Sequence, residues 1–430
     1  MSFTTALSGL NAAANYLSVL GNNIANANTT GFKKSRSEFV DIYAGSVAGV
    51  SKTQTGSGVR VAEVAQQFSQ GNMDLTGNSL DMAINGEGFF TLADNPADLG
   101  SLVYSRAGAF EVNKDGLVTN SQGQALLAYK PNGTTAAEGF STGVLSTVSL
   151  NTAASLPVST TKVDLGVNLD ATQPAITTPP AFDPTNSATY TSQTSASIYD
   201  SLGASHTLTT YFVAGAPTVG PPATRNWTAH HYITDNPASP ELVDTAVGGT
   251  TMTFDSTGKL TVPANGQVPL ATWSRLPPNS SAGPITTTMN YTGSTQLSSS
   301  FAVNALNQDG LAAGTLTGIN IDETGIISAR FSNGSSTPLG KVAMTKFANP
   351  QGLAKLGDTT WGQSTASGSP IPGEAGGGNF GMIQSGALEQ SNVDLSEQLV
   401  NLITAQQAYQ ANSQTISTEN SVIQTILNIR

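Results

Sequence analysis

Two amphipathic helical patterns, one at each end, constrain this 430-residue chain more than anything between them. At the start, Phe3, Leu7, Leu10, Ala14, Leu17, Gly21 and Ile24 recur at alternating steps of four and three, the seam spacing of a coiled coil. At the end, Leu395, Leu399, Leu402, Tyr409, Ile416, Ile423 and Leu427 follow the same register, with Gln406, Ser413 and Asn420 in three of its slots. Neither stripe buries itself on an isolated helix. It must pack on another helix, in this chain or a neighbouring copy, or lie on whatever domain the middle forms.

That middle reads as short strands and turns. The first helix is expected to begin near Ser2, a plausible cap, and to give way at Asn26–Gly31, where Asn, Thr and Gly favour turns. Residues 39–77 read as loop and strand, with Gly56–Val64 extended. Between 78 and 150, turn-separated apolar runs follow at Ala83–Leu92, Leu102–Val112 and Leu117–Tyr129, with Asp-Gly hairpin chemistry at Asn113–Gly116. The stretch 150–300 holds 15 of the 21 prolines, yet His206–Val213 and Trp227–Ile233 alternate like strands, so an all-β insertion is expected. Within it, Thr152–Ser197 also reads as a disordered linker by composition. Apolar runs divided by a turn, like those of 78–150, return at Leu316–Ile321 and Gly325–Phe331. Asp394 with Glu397 three residues later fits a capping box opening the last helix, and Arg430 closes it where the helix dipole favours a cation.

The expected fold is therefore mainly β with terminal α-helices, in discontinuous nested domains. Residues 1–75 with 391–430 would form a coiled-coil-like helical domain, 76–150 with 296–390 a β-rich domain, and 151–295 a β-rich insertion.

Charge and cysteine content narrow the function. Only 10% of residues are charged, and the net charge of −11, from 17 basic and 28 acidic residues, argues against a nucleic-acid partner. The one basic cluster, Lys33, Lys34 and Arg36, is too small to change that. Without cysteine the chain is indifferent to an oxidising compartment. Asn11, Asn15 and Ser18 interrupt what would be the apolar core of a cleavable leader, and no apolar run reaches the roughly 20 residues of a membrane span. Membrane insertion is not expected, and any export would use another route.

Catalytic chemistry finds little support. The three histidines are His206, His230 and His231. A Ser201, His206, Asp200 triad can be drawn, but it lies on one turn and strand with no nucleophile elbow behind it. His230 and His231 would point to opposite faces of a strand. Gly86-Glu87-Gly88 lacks the third glycine and following helix of a nucleotide loop. Glu111, Asn113 and Asp115 imitate part of a calcium loop, but Gln122 stands where a bidentate carboxylate is needed. No catalytic, cofactor or metal site is expected.

Four blocks carry a resemblance. LGNNIANANTTGFK at Leu20–Lys33, NSLDMAINGEGFF at Asn78–Phe90, YSRAGAFEVNKDGLVTNSQGQALLAY at Tyr104–Tyr129 and GALEQSNVDLSEQLVNLITAQQAYQANSQTI at Gly386–Ile416 resemble, in order, the signatures of the bacterial flagellar axial proteins, the family of rod and hook subunits. SIYDSLGASHTLTTYFV at Ser197–Val213 and KFANPQGLAKLGDTTW at Lys346–Trp361 are similar to segments of its hook members, whose large insertion the shorter rod subunits lack. The Gly45–Gly58 stretch, where rod and hook members differ, does not decide between them.

The resemblance implies a self-assembling, non-enzymatic subunit of a curved flexible tube, a universal joint that carries torque from basal-body rod to filament. It implies terminal helices innermost, and assembly through Phe3, Leu7, Leu10, Ala14, Leu17, Ile24, Leu395, Leu399, Leu402, Tyr409, Ile416, Ile423 and Leu427. Further implied partners are the distal rod protein, the hook-cap protein, the hook-filament junction protein and the flagellar type III export apparatus, with a place in the extracellular hook reached without leader cleavage. Polar seam slots make both helices marginal, so residues 1–30 and 395–430 are expected to fold on polymerisation. A distal rod subunit is the alternative within the family. A secreted β-rich adhesin, or an enzyme built around His206, is the alternative outside it.

Overall fold

The computed structural model describes residues 3–42, 56–150, 155–176, 181–218, 220, 223–236, 238–246, 248–274 and 281–428. Ser2, Arg430 and most of Gly45–Gly58 lie outside them. The chain divides into two compact units, residues 1–152 with 318–330 and 336–430, and residues 153–317 with 331–335.

In the first unit, helix α1 (Phe3–Ala25) ends where Asn26–Gly31 turns, as its Asn/Thr/Gly content dictates. Gly31 sits at φ 71°, a left-handed conformation, and a Cβ there would overlap the Ala107 backbone. Strands Ser35–Asp41 and Val59–Gln66 pair antiparallel, Ser35 opposite Gln66. A twelve-stranded sheet follows, with a central order of 316–321, 326–331, 336–346, 125–131, 89–95, 98–105, 360–362 and 354–357. Its central strands are buried on both faces, over Phe89–Ala93 and Ala125–Tyr129, and one end of the core is aromatic. Phe68, Phe89, Tyr104, Phe347 and Trp361 meet edge to face, with centroids 4.8–6.2 Å apart. Helix α2 (Leu395–Asn428) closes the unit. Asp394 Oδ1 accepts from the backbone N–H of Ser396 at 2.8 Å and of Glu397 at 3.2 Å. The expected box forms on the Asp394 side, while the Glu397 carboxylate takes Lys34 Nζ at 3.2 Å.

The second unit is built from two sheets. A five-stranded sheet orders 267–269, 288–290, 162–170 and 295–297, with 302–308 paired to 162–170. A six-stranded sheet orders 192–199, 205–218, 224–233, 250–254 and 260–262, with 241–242 on 224–233. Val163, Leu165, Val167 and Leu169 from the first share one core with Phe212, Trp227, Met252 and Phe254 from the second. The expected all-β insertion is present, and the alternative reading of Thr152–Ser197 as a linker falls away for its described residues, since Lys162–Asp170 and Ser192–Tyr199 are strands of these sheets. One expectation is corrected here. The boundary at residue 295 moves to 317, because Ala302–Gln308 pairs antiparallel with 163–168. Among the described residues no helix is long and apolar enough to cross a membrane.

Candidate functional site

The terminal helices run antiparallel against each other. At one end Asn23 Nδ2 donates to Gln398 Oε1 at 3.1 Å. Toward the other, Gly9 meets Asn412, where a Cβ would stand 2.5 Å from the Asn412 Oδ1. The buried residues of α1 are Ala6, Ala12, Ala13, Leu20 and Asn23, and those of α2 are Gln398 and Ala405. Small residues let the two backbones approach closely, and amides meet where the helices are best buried. Along α1, Ser8 Oγ accepts from Val59 N–H at 3.2 Å and Tyr16 packs edge to face on Phe39, so the 35–41/59–66 pair covers another side.

The sequence-predicted stripes are not this seam. The stripe positions Leu7, Leu10, Ala14, Gly21 and Ile24 each stand one residue, about 100° of helix rotation, from Ala6, Gly9, Ala13, Leu20 and Asn23. Phe3 is 45% exposed, Leu7 40%, Leu395 45%, Leu399 50%, Tyr409 37%, Ile423 47% and Leu427 69%. Ala14 is exposed as well, and Leu10, Leu17, Ile24, Leu402 and Ile416 are half-covered. Val400, Ile403, Val422 and Ile426 add a second uncovered apolar row on α2. The closest approach goes to the smallest residues, which leaves the bulky ones facing outward.

At the roots of the helices lies a charge cluster that sequence reasoning missed. Lys33, Glu389 and Arg106 have side-chain exposures of 0%, 0% and 5%. Lys33 Nζ donates to Glu389 Oε1 at 2.5 Å and to Ser69 O at 2.8 Å, and Gly71 N–H reaches the same carboxylate oxygen at 2.9 Å. Arg106 Nη1 reaches Glu389 Oε2 at 3.3 Å, and its Nη2 donates to Gly86 O at 2.8 Å. Burial pulls the Lys33 ammonium and the Arg106 guanidinium below their ordinary values, with Glu389 opposing the shift in each. Asn392 adds a neutral bridge: its Oδ1 accepts from Lys34 N–H at 2.7 Å and its Nδ2 donates to Gln67 O at 2.7 Å. These residues belong to blocks hundreds of positions apart, so the cluster forms only when both chain ends reach the β-rich core. The one available signal was that a sparsely charged chain places Lys33, Arg106 and Glu389 inside or beside its recognisable blocks.

The chemistry considered at His206 is absent from the geometry. His206 is 3% exposed, its Nδ1 lies 2.5 Å from Asp235 Oδ2 and its Nε2 3.5 Å from Asp200 Oδ2, while Ser201 Oγ accepts from Gly283 N–H at 2.8 Å. Serine and histidine are thus engaged elsewhere, and the neighbouring cavity measures about 10 Å³. Glu111–Val112 pairs with Val118–Thr119, and Asn113 Oδ1 accepts from Asp115 and Leu117 N–H at 2.9 Å, closing a hairpin in place of a calcium loop.

His230 and His231 do face opposite ways, each into a buried setting. His231 bridges Asp244 Oδ1 and Tyr291 Oη at 2.5 Å each, and burial raises the Tyr291 phenol well above its ordinary value. His230 stacks on Phe182 with centroids 4.0 Å apart, and burial holds its imidazole below the usual histidine value. The unfolded chain then binds a proton that the folded chain refuses, so stability falls as pH drops through about 6.5 and levels off below the folded value. We expect the second unit to lose up to about 1.4 kcal/mol per pH unit in that window. His230→Gln should flatten this part of the slope in denaturant titrations at pH 7.5 and 5.5, and an unchanged slope would count against it.

Four family models match successive, partly overlapping stretches of the chain. The models described as Flagella basal body rod protein, Flagellar hook protein FlgE/F/G D1 domain, Flagellar basal body protein FlaE D2 domain and Flagellar basal body rod FlgEFG protein C-terminal match residues 3–33, 83–180, 168–311 and 384–429. The chain is 36% identical over 433 residues to flagellar hook protein FlgE of Salmonella typhimurium, covering 100% of both chains. It is 32% identical over 465 residues to that of Borreliella burgdorferi, covering 100% of this chain and 99% of the other. In fold alone it resembles the crystal structure of Helicobacter pylori flagellar hook protein FlgE2, at a TM-score of 0.56 and 17% identity, over 74% of this chain and 100% of that one. Paired terminal helices, a β-rich body and a two-sheet insertion, matched end to end by hook proteins of several bacteria, place the chain in the flagellar hook protein family.

Proposed function

We propose that this chain is a structural subunit of the bacterial flagellar hook, polymerising into a curved, flexible tube that joins the rod to the filament and transmits torque. The observation that carries the reading is the pair of terminal helices that spend their small residues on each other and leave large apolar rows uncovered, in a chain of this family. Those rows, which include the thirteen stripe residues named from sequence, are the contacts between copies. The match of residues 168–311 to the D2 domain model favours hook over distal rod. Residues 1–75 with 391–430 act as the inner assembly domain, the rest of the first unit as the body of the tube wall, and the second unit as its outer layer. A surface poor in charge lets outer domains shift past one another with few fixed ion pairs. The distal rod protein, the hook-cap protein and the hook-filament junction protein are its neighbours in the flagellum, and the type III apparatus exports it without leader cleavage.

The helices are anchored unequally. On α1 burial runs from Ala6 to Asn23, whereas on α2 it is confined to Gln398 and Ala405, and beyond Ala405 no described residue of α2 is buried. Marginal helices need packing, so in the monomer the pair should fray from its far end. Hydrogen exchange on the monomer is expected to show fast exchange at 406–428 and slower exchange at 395–405 and 20–25. Even protection through residue 428 would contradict folding on assembly.

A further inference from the structure

Asn-Gly dipeptides occur at 85–86, 132–133, 265–266 and 333–334, and the fold treats the second of them differently from the others. In the other three the glycine is held. Gly266 N–H donates to Pro263 O at 2.9 Å, and Gly334 N–H to Phe331 O at 3.0 Å. Gly86 O accepts from Arg106 Nη2 at 2.8 Å, and Gly86 is packed so closely on Gly381 that a Cβ would stand 2.8 Å from the Gly381 Cα. Asn132 and Gly133 instead sit in the loop between strands Ala125–Pro131 and Phe140–Thr147, with the Asn132 side chain exposed. The Asn132 N–H is fixed to Gly139 O at 3.0 Å, but the Gly133 N–H has no acceptor among the described residues.

A carboxylate lies against the same glycine. A Cβ on Gly133 would stand 1.1 Å from Glu138 Oε2, so the Glu138 side chain occupies the space that any other residue at 133 would need. Thr135 Oγ donates to Glu138 Oε1 at 2.9 Å and holds the carboxylate in place. We propose that Asn132 is a site of spontaneous deamidation, with Glu138 as the proton acceptor. The Gly133 nitrogen bonds to Asn132 Cγ, its proton passes by way of Glu138 Oε2 to the side-chain amide nitrogen, and the amide C–N bond breaks with release of ammonia. Water then opens the resulting succinimide ring at either carbonyl, leaving aspartate or isoaspartate. Either product adds a negative charge to a chain already at −11, and isoaspartate also puts a methylene group into the backbone where Asn132 bonds Gly139.

Peptide mapping by mass spectrometry of the full chain, kept folded at pH 7.4 and 37 °C and sampled over weeks, compares all four sites in one sample. The peptide carrying Asn132 should convert about tenfold or more faster than those carrying Asn85, Asn265 and Asn333, since its attacking nitrogen is not held in a hydrogen bond. In denaturant the four rates should converge, because the restraints that separate them are gone. Glu138→Gln should slow conversion at Asn132 about threefold or more and leave the other three sites unchanged. Conversion at Asn132 no faster than at the other sites in the folded chain would overturn the proposal. So would a lead that persists undiminished in denaturant, since its cause would then lie in local sequence and not in the fold. An unchanged rate in Glu138→Gln would overturn the role given to Glu138.

Discussion

Placing a carboxylate in the outer apolar row of either terminal helix, as Leu7→Asp or Leu399→Asp, is expected to abolish tube formation while leaving both β-rich units folded. Leu7 is 40% exposed and Leu399 50%, so in the monomer each change acts on surface already in contact with water and should cost under about 0.5 kcal/mol. Between copies the same position must be desolvated. An unpaired carboxylate there opposes association by about 3 kcal/mol or more for every subunit added, which raises the threshold concentration about a hundredfold. Sedimentation of polymer against protein concentration measures this, with circular dichroism of the monomer as the fold control. If Leu7→Asp and Leu399→Asp both assemble at the unmodified concentration, the outer rows are not the contact, and the buried seam is all the helices are for.

Glu389→Ala should be among the most destabilising single changes in the first unit, at about 3–5 kcal/mol. Among the described residues it removes the carboxylate that bonds both Lys33 and Arg106, leaving two buried cations without their shared hydrogen-bonded anion. Lys33→Met should cost clearly less, because Glu389 keeps Arg106 and the Gly71 N–H, and an apolar side chain of similar length fills the site. Combining Lys33→Met with Glu389→Ala should recover part of the loss, giving a non-additive cycle in chemical denaturation. Equal costs for the two single changes, or strict additivity, would mean that the three charges do not act as a unit. The loss should also reach assembly, since Lys33 follows α1 by eight residues and Glu389 precedes α2 by six.

The parts that were legible in the sequence were those with a period. Leu7, Leu10 and Leu17 announce a helix because apolar side chains at that spacing have few other uses, and the hairpin at Asn113–Gly116 follows from local turn chemistry. The helix seam was not legible, because Ala6, Gly9 and Ala13 add little amphipathic contrast and their value lies in what they permit a neighbour to do. The Lys33–Glu389 pair was hidden for a different reason. A single lysine and glutamate 356 positions apart read as solvated surface, and only the convergence of both chain ends buries them. Lys162–Asp170 is a case where a readable signal was outweighed: Val163, Leu165, Val167 and Leu169 alternate like a buried strand, but the surrounding Thr, Ser and Pro dominated the composition.

The hook assignment turns on assembly, and electron microscopy of the purified chain under polymerising conditions tests it most directly. A hook subunit should form curved hollow tubes, and their formation should be lost when the outer apolar rows carry charge. Straight rigid tubes would point to a rod subunit, and a monodisperse protein that forms no tubes at any concentration would contradict the account.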